Sequence, residues 1–225
     1  MKIVLLHTVR SVMEPFIARM RAALPDCTFY NMLDEYLAMN ATEAGCFTSR
    51  NKGRLYALLR EAAATGADLI VSSCSTLSPH LAAMRPLFDI PIVTVDDEMA
   101  RAAAEMGEHT VAVLATAQSA IGPVRDKILV HAETMGRHPE VREIFVPGAI
   151  DALNGGDRET HDRLLLEAAR PLRGKQEVIV LAQASMAHVD RAIADLCGCP
   201  VLTSPASCVR QTCALVEQLR QRAQA

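Results

Sequence analysis

Residues 68–76, Asp-Leu-Ile-Val-Ser-Ser-Cys-Ser-Thr, join the apolar run Leu69-Ile70-Val71 to a cluster of small polar residues around Cys74. A run that is apolar at consecutive positions, not alternate ones, is what a strand covered on both faces requires. Residues 177–185, Glu-Val-Ile-Val-Leu-Ala-Gln-Ala-Ser, repeat this pattern 109 positions later, with Gln183 where Cys74 stands. Ile90-Pro91-Ile92-Val93-Thr94 falls on Cys199-Pro200-Val201-Leu202-Thr203 at the same offset. Carried to the start of the chain, the offset superposes Ile3-Val4-Leu5-Leu6-His7-Thr8 on Ala112-Val113-Leu114-Ala115-Thr116-Ala117. Three strands and their adjoining turns in one register predict an internal duplication.

Along the rest of the chain, short apolar runs alternate with segments of helical period, the pattern of βα units and mostly parallel sheets. Strands are expected at Lys2 to Leu6, Thr28 to Met32, Asp68 to Ser72, Ile92 to Val95, Thr110 to Ala115, Val141 to Val146, Glu177 to Leu181 and Val201 to Thr203. Helices are expected at Val12 to Leu24, Arg50 to Ala64, Ser78 to Phe88, Glu98 to Met106, Pro123 to Met135, Arg158 to Leu172, Ala187 to Leu196 and Ala206 to Arg220. Ser78-Pro79 reads as a helix start, with a capping hydroxyl and then Pro in the first turn, where its missing N–H costs nothing.

The 225 residues suffice for a large core, and 50% hydrophobic with 22% charged residues describe a folded chain. The net charge of −3, with no aromatic-basic stripe, argues against nucleic-acid or anionic-membrane partners. No apolar run reaches the length of a membrane span, and the apolar opening is too short for a signal peptide, so a cytoplasmic protein is expected. Seven cysteines, an odd number without a secretory signal, read as reduced thiols. The histidines at 7, 80, 109, 131, 138, 161 and 188 are dispersed, there is no CxxC or HExxH, and no metal site or structural zinc is expected. Cys197-Gly198-Cys199 reads as packing, and Asp96-Asp97-Glu98 as capping and dipole compensation before a helix.

Two such halves facing each other form a cleft at the carboxyl ends of their strands, where open α/β sheets bind ligands. The loops to watch are His7-Thr8-Val9-Arg10, Ser73-Cys74-Ser75-Thr76, Thr116-Ala117-Gln118-Ser119 and Ala182-Gln183-Ala184-Ser185. Their turn amides, with helix N-termini behind them, suit a carboxylate. The candidate substrate-binding residues are therefore His7, Thr8, Ser75, Thr76, Thr116, Ala117, Gln118, Gln183, Ala184 and Ser185. Only Cys74 both follows a buried strand and precedes a helix start, a position expected to lower a thiol's pKa. It is the candidate acid/base or nucleophile, against a purely structural thiol. His7 is the best remaining candidate for a second proton-carrying group or substrate contact, against a packing or loop-fixing histidine, and Arg10 offers a bidentate partner for a carboxylate, against a surface charge. His188, five residues past Gln183, reads chiefly as a solvated helix residue.

Ser73-Cys74-Ser75-Thr76 after an apolar strand, duplicated around residue 183, resembles the aspartate/glutamate racemase superfamily, which includes hydantoin racemases, maleate isomerases and arylmalonate decarboxylases. The resemblance spans essentially the whole chain, including Val113-Leu114-Ala115-Thr116 and Pro200-Val201-Leu202-Thr203-Ser204-Pro205. It implies two pseudo-symmetric Rossmann-like α/β subdomains, residues 1–97 with 205–225 and residues 98–204. It also implies cofactor-independent chemistry on a small carboxylate or amino-acid-like substrate, and a homodimer or higher homo-oligomer. Racemases of this type place one cysteine from each half about the substrate; here Gln183 stands at the second position, and its amide neither takes nor gives a proton at ordinary pH. The resemblance thus implies an atypical, single-thiol isomerase acting at the carbon α to a carboxylate or carbonyl. A decarboxylase or other lyase, a cis-trans isomerase of small dicarboxylates, and a non-catalytic carboxylate-binding protein are the alternatives.

Overall fold

The computed structural model describes residues 1–224, which divide into two compact units: Met1–Val95 together with the segment from Pro205, and Asp96–Ser204.

In the first unit the chain runs β1 (Lys2–His7), α1 (Arg10–Ala23), β2 (Thr28–Leu33), α2 (Glu35–Ala44), α3 (Ser49–Ala64) and β3 (Leu69–Ser72). A 3₁₀ turn (Ser75–Leu77) then leads into α4 (Ser78–Met84), and β4 (Ile92–Thr94) comes after it. The four strands form an all-parallel sheet in the order β2-β1-β3-β4. Both faces of the central strands are buried. Ile3, Leu5, Leu69 and Val71 pack with Phe16, Ile17 and Met20 of α1, whereas Val4, Leu6 and Ile70 pack with Leu55, Leu59 and Ala62 of α3. This explains why β1 and β3 read as unbroken apolar runs.

The second unit runs α5 (Asp97–Met106), β5 (Thr110–Ala115), α6 (Gln118–Thr134), β6 (Glu140–Phe145), α7 (Ala149–Asn154), α8 (Arg158–Ala169) and β7 (Val178–Leu181). A 3₁₀ segment (Ala184–Val189) joins α9 (Asp190–Cys197), and β8 (Val201–Thr203) closes a parallel sheet of order β6-β5-β7-β8. The last helix, α10 (Ser204–Gln224), sends Cys208 and Val216 into the first unit's core. Among the described residues no helix is long and apolar enough to cross a membrane.

All eight expected strands are present, within a residue or two of their expected ends. Two helices, α2 and α7, were not expected from the sequence. Two other expectations are corrected. Pro123 does not start its helix: α6 begins five residues earlier, at Gln118, with Pro123 inside it, just as Pro15 lies inside α1. The offset of 109 also fails for the first strand of each unit. Ile3 pairs with Leu69, and Val111 pairs with Val178, so β1 and β5 correspond at 108 while β3 and β7 correspond at 109. The corrected register aligns Thr8-Val9-Arg10-Ser11 with Thr116-Ala117-Gln118-Ser119 and Pro15 with Pro123, so that the Thr, Ser and Pro positions coincide.

Asp96 stands at the N-cap of α5, and Asp97 and Glu98 put acidic side chains in its first turn, as expected for dipole compensation. The capping expectation is corrected in one respect: the Asp96 side chain makes no capping bond, is fully buried and pairs with Lys127 Nζ at 2.6 Å. Cys197 packs in the core of its unit, and Gly198 between the two cysteines carries φ +73°, the left-handed turn that ends α9. Here glycine is the residue the backbone requires.

Candidate active site

In each unit the first and third strands end side by side, and the residue leaving one strand touches the residue leaving the other. In the first unit these are Thr8 and Cys74. Cys74 is extended at the strand exit, with φ −122° and ψ 117°, and a 3₁₀ turn begins one residue later. The Thr8 and Thr76 hydroxyls and the Thr76 and Leu77 backbone N–H groups lie around the sulfur and favour its ionised form. The Leu77 N–H itself donates to the Cys74 carbonyl at 3.2 Å. Thr8 is 3% exposed, and its hydroxyl has no hydrogen-bond partner among the described residues.

Burial outweighs these polar groups. Desolvation pushes the Cys74 thiol above its ordinary value, and the polar groups around it only partly oppose it. The expectation of a lowered pKa is thus corrected. Beyond Cys74 the chain makes a three-residue turn and then the seven-residue α4, too little helix to offset the loss of water around the sulfur. The thiol therefore rests protonated at neutral pH.

His7 is fully buried, and both ring nitrogens are engaged. Its Nδ1 lies 2.8 Å from Ser73 Oγ, and that hydroxyl also lies 3.2 Å from the Leu6 carbonyl oxygen. Asn31 Oδ1 lies 3.1 Å from Nε2 and accepts its proton, so in the neutral ring Nδ1 accepts from the Ser73 hydroxyl. Burial holds the His7 pKa below its ordinary value, so the ring stays neutral. His7 thus ties the end of β1 to Ser73, the residue before Cys74. The second unit has no such pair, since Ala115 and Ala182 occupy the matching positions.

In the second unit the corresponding residues are Thr116 and Gln183. Gln183 Oε1 accepts from the Thr116 backbone N–H at 2.6 Å, the Thr116 hydroxyl at 3.1 Å and the Ala117 N–H at 3.0 Å. The amides expected to receive a substrate carboxylate are filled by the chain's own side chain. Gln183 has φ −127° and ψ 139°, close to Cys74, so the two positions share backbone geometry and differ in chemistry. Of the other expected binding residues, Ser75 is buried within the turn after Cys74, and Gln118 is exposed at the start of α6. Ala184 and Ser185 are half-buried in the 3₁₀ segment after Gln183.

The profile of the Asp/Glu/hydantoin racemase family matches residues 7–212. This chain belongs to that family. The match contains Cys74, Gln183 and both threonines, and it places the chain among isomerase enzymes. The fold is shared with a glutamate racemase of Francisella tularensis solved with D-glutamate, at 11% identity and a TM-score of 0.73, covering 97% of this chain and 81% of that one. A glutamate racemase of Bacillus anthracis gives 14% identity and a TM-score of 0.72, covering 96% and 81%. An allantoin racemase of Pseudomonas fluorescens gives 17% identity and a TM-score of 0.65, covering 97% and 92%. No curated protein sequence matches the chain.

Proposed function

We propose that this family member is a cofactor-independent isomerase that moves a proton at the carbon next to a carboxylate or carbonyl of a small substrate, with Cys74 as its one catalytic thiol. The observation that carries this reading is the place of Cys74 at the exit of β3, one residue before a 3₁₀ turn, with the Thr8 and Thr76 hydroxyls around its sulfur. A thiol with a raised pKa gives a thiolate that is a stronger base, and these polar neighbours limit the cost of forming it. The cycle starts when the thiol loses its proton to solvent, with Thr8 and Thr76 favouring the thiolate. In the forward step the α C–H bond breaks, its electron pair passes into the enolate, and the proton arrives on Sγ. In the return step one proton reaches carbon: from solvent on the opposite face, which inverts the centre while the Sγ proton passes to solvent, or from Sγ, which restores the starting configuration.

The lock between Gln183 and Thr116 supports a second reading, a decarboxylase. Protonating the enolate left after carbon dioxide departs needs one acid, not two, and a resting S–H is that acid.

Incubation in deuterated water with amino acids, hydantoins, maleate and malonates separates the two. An isomerase exchanges the α-hydrogen or changes the configuration of substrate, and a decarboxylase releases carbon dioxide and leaves one solvent deuterium in the product. Either activity is expected to vanish in Cys74→Ala. Full turnover in that variant refutes both readings, and specific binding of a carboxylate with no turnover identifies a binding protein.

A further inference from the structure

His161 and Asp162 are neighbours on α8, and His188 lies in the 3₁₀ segment after β7, 26 residues beyond Asp162. Folding brings one ligand-capable atom of each within 4.8 Å of the other two. The centre of the cluster is a single oxygen: Asp162 Oδ1 lies 2.7 Å from His161 Nδ1 and 2.6 Å from His188 Nε2. The two imidazoles are stacked at 5.7 Å, 25° apart. The His161 ring is fully buried and makes its one hydrogen bond into this cluster, its Nε2 having no partner among the described residues. The His188 side chain is 26% exposed, at the surface of the unit. Arg158 Nε stands 3.9 Å from Asp162 Oδ2 and leaves Oδ1 to the histidines.

We propose that His161, Asp162 and His188 form a binding site for a divalent transition-metal ion of the zinc type. Two imidazoles and one carboxylate are a borderline-soft donor set, which favours zinc, cobalt or nickel over magnesium or calcium. Four-coordinate zinc holds N and O donors at roughly 2.0–2.2 Å, which separates them by about 3.4 Å. The observed 2.6–2.7 Å contacts reach that spacing when side-chain rotations open each by under ~1 Å, without moving α8. Solvent then completes the fourth position on the His188 side. The bound ion links α8 to the segment that starts one residue after Gln183. Metal binding here is independent of the chemistry assigned to Cys74.

The test is a cobalt(II) titration of the full chain, monitored by the visible d–d absorption, in wild type and in Asp162→Asn and His188→Gln, both partly exposed positions that tolerate change. One saturating equivalent in the micromolar range or tighter is expected, with each variant weakening affinity at least tenfold and zinc raising Tm only in the wild type. Absence of saturable binding up to 100-fold molar excess overturns the proposal. So do variants that bind like the wild type, or loss of the signal on alkylating the cysteines, which would assign the metal to thiols.

Discussion

The side-chain oxygen of Gln183 lies 2.6 Å from the backbone nitrogen of Thr116, at the strand ends that match those where the Cys74 sulfur meets Thr8 in the other unit. One unit offers the third-strand position an ionisable sulfur; the other offers an amide oxygen that holds the adjoining turn together. Because Thr116 is fully buried, its N–H depends on that oxygen. Gln183→Ala is expected to cost about 1–3 kcal/mol, the usual penalty for a buried donor left without an acceptor. Gln183→Glu keeps the acceptor and is expected to fold normally. In Gln183→Ala the vacated donors are expected to take a small carboxylate, so malonate should raise Tm in the variant and not in the wild type. Equal Tm shifts in both would show that the cradle was open already.

Cys74 rests protonated, which a reagent selective for thiolate reads directly. Labelling of Cys74 by iodoacetamide, quantified by peptide mass spectrometry, is expected to be slow at pH 7 and to keep rising above pH 9, its ordinary value. Thr8→Val removes a hydroxyl that favours the ionised sulfur and is expected to move that rise to still higher pH. It should also lower turnover roughly a hundredfold, the scale of losing one donor to a developing anion. A labelling curve that levels off below pH 8 would contradict the burial argument.

His7 makes stability depend on pH. Its folded pKa lies below the ordinary 6.5, so the unfolded chain binds a proton that the folded chain refuses. The contribution of His7 is therefore complete above about pH 6.5 and is lost as pH falls toward the folded value. Tm is expected to drop between pH 7 and pH 5, and less steeply in His7→Gln. His80, also lowered by burial, adds to the slope in both proteins, so the difference between them isolates His7. Parallel Tm profiles would remove the assignment.

Gly107 closes the turn between α5 and β5. A Cβ there would stand 2.3 Å from Val111 Cγ2 and 3.1 Å from the Ala103 carbonyl oxygen and from Val178 Cγ1. Val111 and Val178 belong to the two central strands of that sheet and are fully buried, so neither has room to yield. Gly107→Ala is expected to cost about 1–3 kcal/mol, a drop of several degrees in Tm by calorimetry. Cys74 labelling should be unaffected, because the change lies in the other unit.

The strands, most helices, the parallel α/β class and the duplication are legible along the chain. Each is local or periodic: Leu69-Ile70-Val71 and Val178-Ile179-Val180 are apolar throughout because helices cover both their faces. α2 and α7 escaped because they bury so little, Leu37 and Ala41 in one and Ala149 in the other, which leaves no apolar period to read. Other features arise only on folding. The one-residue shift between β1 and β5 shows only in the ladders, since neighbouring apolar residues superpose equally well in either register. The roles of His7 and Gln183, the raised thiol and the meeting of His161, Asp162 and His188 depend on burial and on partners tens of residues away. Desolvation and hydrogen bonding act through space, and composition and spacing along the chain do not encode which side chains will lose their water together.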